Sequence, residues 1–257
     1  MKLSIITINY NNASGLQKTI ESVIKQSFEN FEYIVIDGGS TDVSIDIIKQ
    51  YEKNIPYWVS EKDYGIYHAM NKGIFKASGE YLLMLNSGDY LIDSNVLSAI
   101  FANDTSGADV LYANIEWRYK EQYHSNSHLP DVLPEDYFLK KSLAHQSTLI
   151  KRSAHAVVGL YDESMKLCAD WKFFMLAFNK HKLSFKHVPL TISVGDTEGV
   201  SWNSEYFRIA DKERLATIKK YFPQNLHLFR QIKKANRYSL KNRLILFKKR
   251  ILKKITI

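Results

Sequence analysis

Three short stretches of this sequence place carboxylates where they could do ligand chemistry. Asp37-Gly38-Gly39-Ser40-Thr41-Asp42 puts an acid directly after an apolar run. There it can accept hydrogen bonds from a base or a ribose, and the two glycines permit a tight turn and the close approach of a ligand. Leu83-Met84-Leu85-Asn86-Ser87-Gly88-Asp89 delivers another carboxylate at the end of a second apolar run. A Mg²⁺ or Mn²⁺ diphosphate site needs such an acid, because hard cations take oxygen ligands, usually one or two carboxylates with phosphates and waters. Gly88 lets the backbone turn beside those phosphates. Leu167-Cys168-Ala169-Asp170-Trp171 sets a third acid at the start of a helical pattern. Each stretch also has a plainer reading as a helix cap: Ser40 or Thr41 for one helix, Asp89 for a helix near Ser94, Asp170 for its own.

The elements that must position these acids follow from periodicity. Apolar runs at 3–8, 33–36, 56–59 and 81–85 are short and rich in β-branched or aromatic residues, as buried parallel strands are. Helical patterns lie between them at roughly 14–26, 43–52 and 66–77, the first with Leu16, Ile20, Val23 and Ile24 on one face and Ser14 as its expected N-cap. Repeated βα units predict an α/β fold with a doubly wound, mostly parallel sheet flanked by helices. Ligands in such sheets sit at the carboxyl ends of the strands, where the acidic and amide clusters fall. Beyond residue 105 strands are expected at 109–119, 146–151 and 184–194. Helices are expected at 169–180 and 203–222, the last ending before Pro223. This gives a body over 1–222, divided near residue 105 into a regular βα half (1–105) and a looser half (106–222), then a basic helical tail (223–257).

Composition narrows the classes. Cys168 is the sole cysteine of 257 residues, which excludes a disulfide framework and a cysteine zinc site. No stretch approaches the ~20 apolar residues that span a bilayer, and Met1–Tyr10 reads as a strand rather than a signal peptide. A cytoplasmic protein is expected. The net charge of +8 is concentrated: residues 212–257 carry 15 Lys and Arg against one acid, Glu213. The body is mildly acidic, so no nucleic-acid partner is expected. Within 230–257, Leu240, Leu244, Phe247, Ile251 and Ile255 recur at helical spacing among lysines and arginines. A basic helix with an apolar strip can lie on an anionic membrane surface, here the inner face of the cell membrane, or dock on a partner or on the acidic body.

Taken together these residues resemble glycosyltransferase family 2, the inverting sugar transferases with a GT-A fold. The resemblance runs from Met1 to about Phe222 and is densest over 3–90; it implies a catalytic domain over 1–222 with a nucleotide-binding half (1–105) and an acceptor half (106–222). Thr7-Ile8-Asn9-Tyr10-Asn11 resembles the family's opening strand and nucleotide loop, and Asp37–Asp42 its base-binding turn, with Gly38 where a second Asp is more typical. Asp63-Tyr64-Gly65-Ile66-Tyr67-His68-Ala69-Met70-Asn71-Lys72-Gly73 is similar to a stretch in bacterial polysaccharide-assembly members. Asn86-Ser87-Gly88-Asp89 stands where the Asp-x-Asp metal motif belongs; Asn86 replaces its first acid. The resemblance implies a nucleotide-sugar donor, UDP-sugar favoured, and a saccharide acceptor, with a lipid-linked one suiting the basic tail.

The roles it implies are these. Thr7, Asn9 and Tyr10 contact the nucleotide, Tyr10 by stacking; Asp37 accepts from the base imide; Asp63 adds a nucleotide contact. Asn71 reaches phosphate or sugar, or is a helix-surface amide. Asn86 and Gly88 serve the donor, and Asp89 holds Mn²⁺ or Mg²⁺. Asp170 is the catalytic base that takes the acceptor proton as the hydroxyl attacks. His145 and Gln146 touch acceptor or diphosphate, or pair with backbone. Ser201, in Gly199-Val200-Ser201, belongs to a loop that closes over the donor. Trp117, Tyr119 and Tyr123 line an acceptor groove or simply pack.

The competing classes lack their signatures. A dehydrogenase needs Gly-x-Gly-x-x-Gly after the first strand, and a P-loop enzyme needs Gly-x-x-x-x-Gly-Lys; neither is present. A sugar nucleotidyltransferase normally carries a glycine-rich basic loop at that place. A non-catalytic nucleotide- or membrane-binding scaffold stays open on sequence alone.

Overall fold

The computed structural model describes residues 2–102, 107–119, 122–196 and 204–235. Its elements begin β1 (Leu3–Asn9), α1 (Ala13–Ile24), β2 (Phe31–Asp37), α2 (Ser44–Gln50), β3 (Tyr57–Ser60), α3 (Ile66–Lys76) and β4 (Tyr81–Met84). They continue with β5 (Tyr90–Leu91), α4 (Val96–Ala102), β6 (Val110–Tyr119), β7 (Gln122–Asn126), α5 (Tyr137–Lys140) and β8 (Thr148–Lys151). Then come α6 (Arg152–Val158), α7 (Ala169–Met175), β9 (Phe185–Asp196) and α8 (Ser204–Tyr221). A π-helical turn, Leu176–Lys180, prolongs α7, and residues 226–235 form α9. Residues 236–257, which include Leu240 and the other apolar positions of the tail pattern, lie outside the described residues.

The strands form one sheet in the order β3-β2-β1-β4-β8-β6-β9-β5, with β7 paired onto β6. The first four run parallel. β8 is antiparallel to both β4 and β6, β9 is parallel to β6, and β5 closes the edge antiparallel to β9. This is the doubly wound, mostly parallel sheet that the βα repeats predict, and it continues without a break past residue 105.

Strand periodicity assigns the faces. Leu3, Ile5, Tyr33, Val35, Tyr81 and Leu83 pack with Leu16, Ile20 and Val23 of α1 and with α2 and α4. The alternate residues Ile6, Ile8, Ile34, Ile36, Leu82 and Met84 face α3, α5 and α7. Gly73 makes the approach of α3 possible: a β-carbon there would lie 2.3 Å from Ile6 Cγ2. The cap of α1 differs from expectation. Asn12, not Ser14, accepts from Gly15 N at 3.2 Å, so the helix starts at Ala13. An N-cap side chain reaches the amides two or three positions on, which Asn12 does and Ser14, inside the first turn, does not.

The second core buries a titratable ring. His155 is 6% exposed and packs on Phe173 at 4.5 Å between ring centroids. Burial pushes its imidazole down to about 4, against a weaker upward pull from the Gly159 carbonyl. The unfolded chain, near 6.5, therefore takes up a proton that the folded protein refuses. Stability from this residue is whole above pH 6.5 and falls as pH drops toward 4, by about 3 kcal/mol in all. Urea unfolding at pH 7 and pH 5 is expected to show a smaller acid loss in His155→Phe than in wild type. Equal losses in both would remove His155 from the account.

Candidate active site

The carboxyl ends of β1, β2 and β3 meet around Asp37. Its side chain is fully buried, and each oxygen has two donors. Oδ1 accepts from Asn9 Nδ2 at 2.8 Å and Ser40 Oγ at 2.6 Å; Oδ2 accepts from Ser40 N at 2.9 Å and Ser60 Oγ at 2.6 Å. Burial alone would raise this carboxyl, but the Ser40, Ser60 and Asn9 hydrogen bonds outweigh it and hold it below the usual range. A carboxylate has about four acceptor positions, so Asp37 is saturated and ties three strand ends together. Asn11 ties the loops above them. It sits at φ +49, a conformation Asn tolerates. Its N–H donates to Ser40 Oγ and its Oδ1 accepts from Thr41 N.

Beside this brace Tyr10, Gly38 and Asp63 come together. Tyr10 is 66% exposed, and a β-carbon added at Gly38 would lie 3.3 Å from both Tyr10 Cδ2 and Asp63 Oδ2. Asp63 Oδ1 receives His68 Nδ1 at 2.9 Å and Lys72 Nζ at 2.8 Å, while its Oδ2 is buried with no hydrogen-bond partner. An aromatic face next to an unused carboxylate oxygen suits a flat ring that carries an N–H.

The second cluster is the loop after β4. Gly88 takes φ +103, which a side chain would resist, and its N–H donates to Thr19 Oγ1 at 3.0 Å. Thr19 Oγ1 in turn donates to the Asp89 carbonyl at 2.7 Å, and Asn12 Nδ2 donates to the Ser87 carbonyl at 3.1 Å. Helix α1 thus shapes the turn that carries Asp89. Asn86 Oδ1 is buried without a partner. Among the described residues no group of three or more His, Cys, Asp and Glu is arranged to hold a metal ion by itself. A carboxylate and an unused amide oxygen at one turn fit a cation such as Mg²⁺, which keeps several waters and draws other ligands from phosphates.

The third cluster joins the second. Asp170, in the first turn of α7, accepts from Tyr67 OH at 3.1 Å, and its other oxygen lies 3.3 Å from His145 Nδ1. His145 Nε2 is 3.1 Å from Asn86 Nδ2. An amide nitrogen only donates, so Nε2 accepts and the ring proton sits on Nδ1, where it donates to Asp170. Burial would raise the Asp170 carboxyl, yet the hydrogen bond from His145, with help from the Trp171 N–H and Tyr67 OH, holds it below the usual range. Tyr67 is pushed the other way, up, by burial and the Asp170 charge. One imidazole therefore bridges the Asn86–Asp89 turn and Asp170, and puts both on the same side of the molecule.

Not every sequence candidate reaches this cleft. Thr7 is fully buried and bonds Tyr33 OH at 3.0 Å, and Gln146 is buried. Asn71 is 2% exposed. Its Nδ2 donates to the Tyr161 carbonyl and to Glu163, and its Oδ1 accepts from Tyr161 N, so it pins the segment after α6. Trp117 packs on Gly195 and donates to Ser127 Oγ. Ser201 and the side chains of Tyr119 and Tyr123 lie outside the described residues. Sequence reasoning missed Ser60 and Tyr67, whose partners are 23 and 103 residues away. The spacing of Tyr67 from Ile74 on the inner face of α3 was the one available signal for the latter.

The sequence pattern of glycosyl transferase family 2 matches residues 4–159, more than half of the chain. The chain belongs to that family. Among relatives, an uncharacterized glycosyltransferase of Mycobacterium tuberculosis is 31% identical over 229 residues, covering 86% of this chain and 85% of its own. A PGL/p-HBAD biosynthesis glycosyltransferase of Mycobacterium bovis is 28% identical over 221 residues, covering 84% and 83%. Among solved structures, S. aureus TarS 1–349 in complex with UDP-GlcNAc superposes with a TM-score of 0.65 at 19% identity, covering 85% of this chain and 66% of that one. The mannosyltransferase PcManGT from Pyrobaculum calidifontis, in complex with GDP-Man and Mn²⁺, superposes at 0.62 with 14% identity, covering 89% and 68%. Against a longer TarS chain the coverage is 38% of that chain. At these identities the neighbours speak for the fold, and that fold is GT-A. Among the described residues no helix is long and apolar enough to cross a membrane.

Proposed function

We propose that this family 2 glycosyltransferase moves a sugar, with inversion, from a UDP-sugar to a hydroxyl of a saccharide acceptor. The observation that carries the reading is the Asn86–His145–Asp170 chain, because it sets a candidate base beside the turn that would hold a diphosphate. Inverting transfer needs one base on the acceptor side; the leaving nucleoside diphosphate needs no proton if its charge is neutralised. Asp170, kept ionised by His145 and Tyr67, takes the proton of the attacking hydroxyl. Asp89 and Asn86 would hold Mn²⁺ or Mg²⁺, which when bound neutralises the charge of the leaving diphosphate.

In the donor slot the base stacks on Tyr10. Its imide N–H goes to Asp63 Oδ2, and Asp37 supports the floor rather than touching the base. A nucleotide ligand in the TarS neighbour and another in PcManGT support a nucleotide-sugar donor; the carboxylate acceptor suits the uracil imide as it would thymine or the guanine N–H, and UDP is preferred here by the frequency of UDP-sugars in the family. The basic segment 230–257 is read as resting on an anionic membrane, which suits a lipid-linked acceptor.

Calorimetry with UDP and GDP, each with Mn²⁺, tests the donor. UDP is expected to bind, and Asp63→Ala to weaken it about ten- to a hundredfold, since a hydrogen bond to a charged group contributes ~1.5–3 kcal/mol. Equal affinity of the variant would move the base elsewhere. A body that binds neither nucleotide is the scaffold of the alternative reading. Sedimentation of the same protein with anionic vesicles reads the tail; a chain that stays in the supernatant has no membrane role there.

A further inference from the structure

We propose that Glu213 and Arg214, consecutive residues of α8, clamp the turn that carries Asp170 and so hold it in position to take the acceptor proton. The proposal rests on Asp170 being the base. Three successive backbone N–H groups immediately before α7 converge on one carboxylate. Glu213 Oε1 accepts from Lys166 N at 2.6 Å, and Oε2 from Leu167 N at 3.2 Å and Cys168 N at 3.0 Å. Amides at a helix start have no partner inside the helix, and the residue in the N-cap position, Cys168, makes no side-chain cap bond. A carboxylate more than forty residues away takes the N-cap amide, Cys168 N, together with the two amides before it, so it fixes the turn by which the chain enters α7, and its negative charge also suits a helix N-terminus.

Arg214 grips the other side. Its guanidinium lies 5.2 Å from the centre of the Trp171 ring, which is itself fixed by a 2.8 Å bond from Nε1 to the Phe138 carbonyl. It also sits beside the Cys168 thiol, which burial pushes up to about 12 against the pull of the Arg214 charge. Both flanks of Asp170 are thus held by neighbouring residues of one helix. That helix is anchored in the core by Ile218, and by Phe222 just past its end. Glu213 is also the lone acid of residues 212–257. A solvated basic face has no use for a single acid, whereas three converging N–H groups have.

A base displaced by about 1 Å can cost about 10²-fold in turnover without touching ligand affinity. Glu213→Gln keeps the shape but sets an amide N–H against backbone N–H groups. Glu213→Asp keeps the charge and both acceptor oxygens on a shorter stem. The expected result is a kcat for UDP release that falls about 10²-fold in Glu213→Gln and recovers partly in Glu213→Asp. The donor is the UDP-sugar of a screened panel on which wild type releases most UDP. UDP affinity by calorimetry and the melting temperature should stay near wild type in the Asp variant. Wild-type kcat in Glu213→Gln overturns the clamp. So does a kcat in Glu213→Asp that falls only in step with melting temperature and UDP affinity, for the carboxylate is then a folding brace. Retained turnover in Asp170→Asn would instead overturn the base assignment, so the two failures are distinguishable.

Discussion

Asp170→Asn is expected to fold, to bind UDP like wild type, and to lose transfer by about 10²–10⁴-fold, the usual contribution of a positioned base. The substitution keeps the outline of the side chain but removes the only group in the cluster poised to accept a proton. Tyr67 is raised far above neutrality, and the lone pair of His145 Nε2 faces Asn86. The new amide leaves one mismatch, because Tyr67 OH and His145 Nδ1 both donate toward this side chain. One unmatched polar contact costs about 1–3 kcal/mol, which a folded domain of this size survives. The pH behaviour has a definite sign. A carboxyl held below its unfolded value contributes stability that is present above that value and is lost as pH falls through the folded one. Base function disappears over the same acidic window, so wild-type activity near neutrality is insensitive to this group. Steady-state kinetics beside calorimetry checks the prediction, and turnover within tenfold of wild type would reassign the base.

Asp89→Ala is expected to abolish stimulation by Mn²⁺ and to weaken UDP binding in Mn²⁺ by at least about tenfold, ~1.4 kcal/mol, toward the metal-free value. The turn itself should survive. It is shaped by the Thr19 hydroxyl on the Asp89 carbonyl and the Gly88 N–H, and by Asn12 on Ser87, all backbone contacts that alanine retains. With Asn86 in place of a first acid, Asp89 is the only carboxylate at the turn, so its removal leaves amide and backbone oxygens alone. Titration of UDP with and without Mn²⁺ in both proteins gives the answer. Identical metal dependence would mean that the cation is held elsewhere or not at all.

The sequence made the strand ends legible because buried parallel strands are short apolar runs, and polar residues that interrupt them stand out. β1 to β4 and their polar termini follow from that alone. The employment of each side chain was less legible. Asp37 reads as a ligand acceptor until Ser60 arrives from β3 and fills its last position. Asn71 shares the face of Tyr67 and Ile74, which helical periodicity turns toward the core, so its inward role was recoverable from spacing. The partners of Asp170 were not. Tyr67, His145 and the Glu213 cup come from three elements whose meeting is decided by the winding of the sheet, which no local pattern encodes.

Helix α3 links separate parts of the site. His68 and Lys72 hold the Asp63 carboxylate, Tyr67 donates to Asp170, and Asn71 holds the segment that follows α6. On the proposed assignment, one rod of eleven residues serves two chemically separate half-sites. Anyone redesigning which nucleotide this enzyme takes would therefore have to transplant residues 61–76 as a cassette, since grafting loops alone leaves the acceptor side tuned to the old rod.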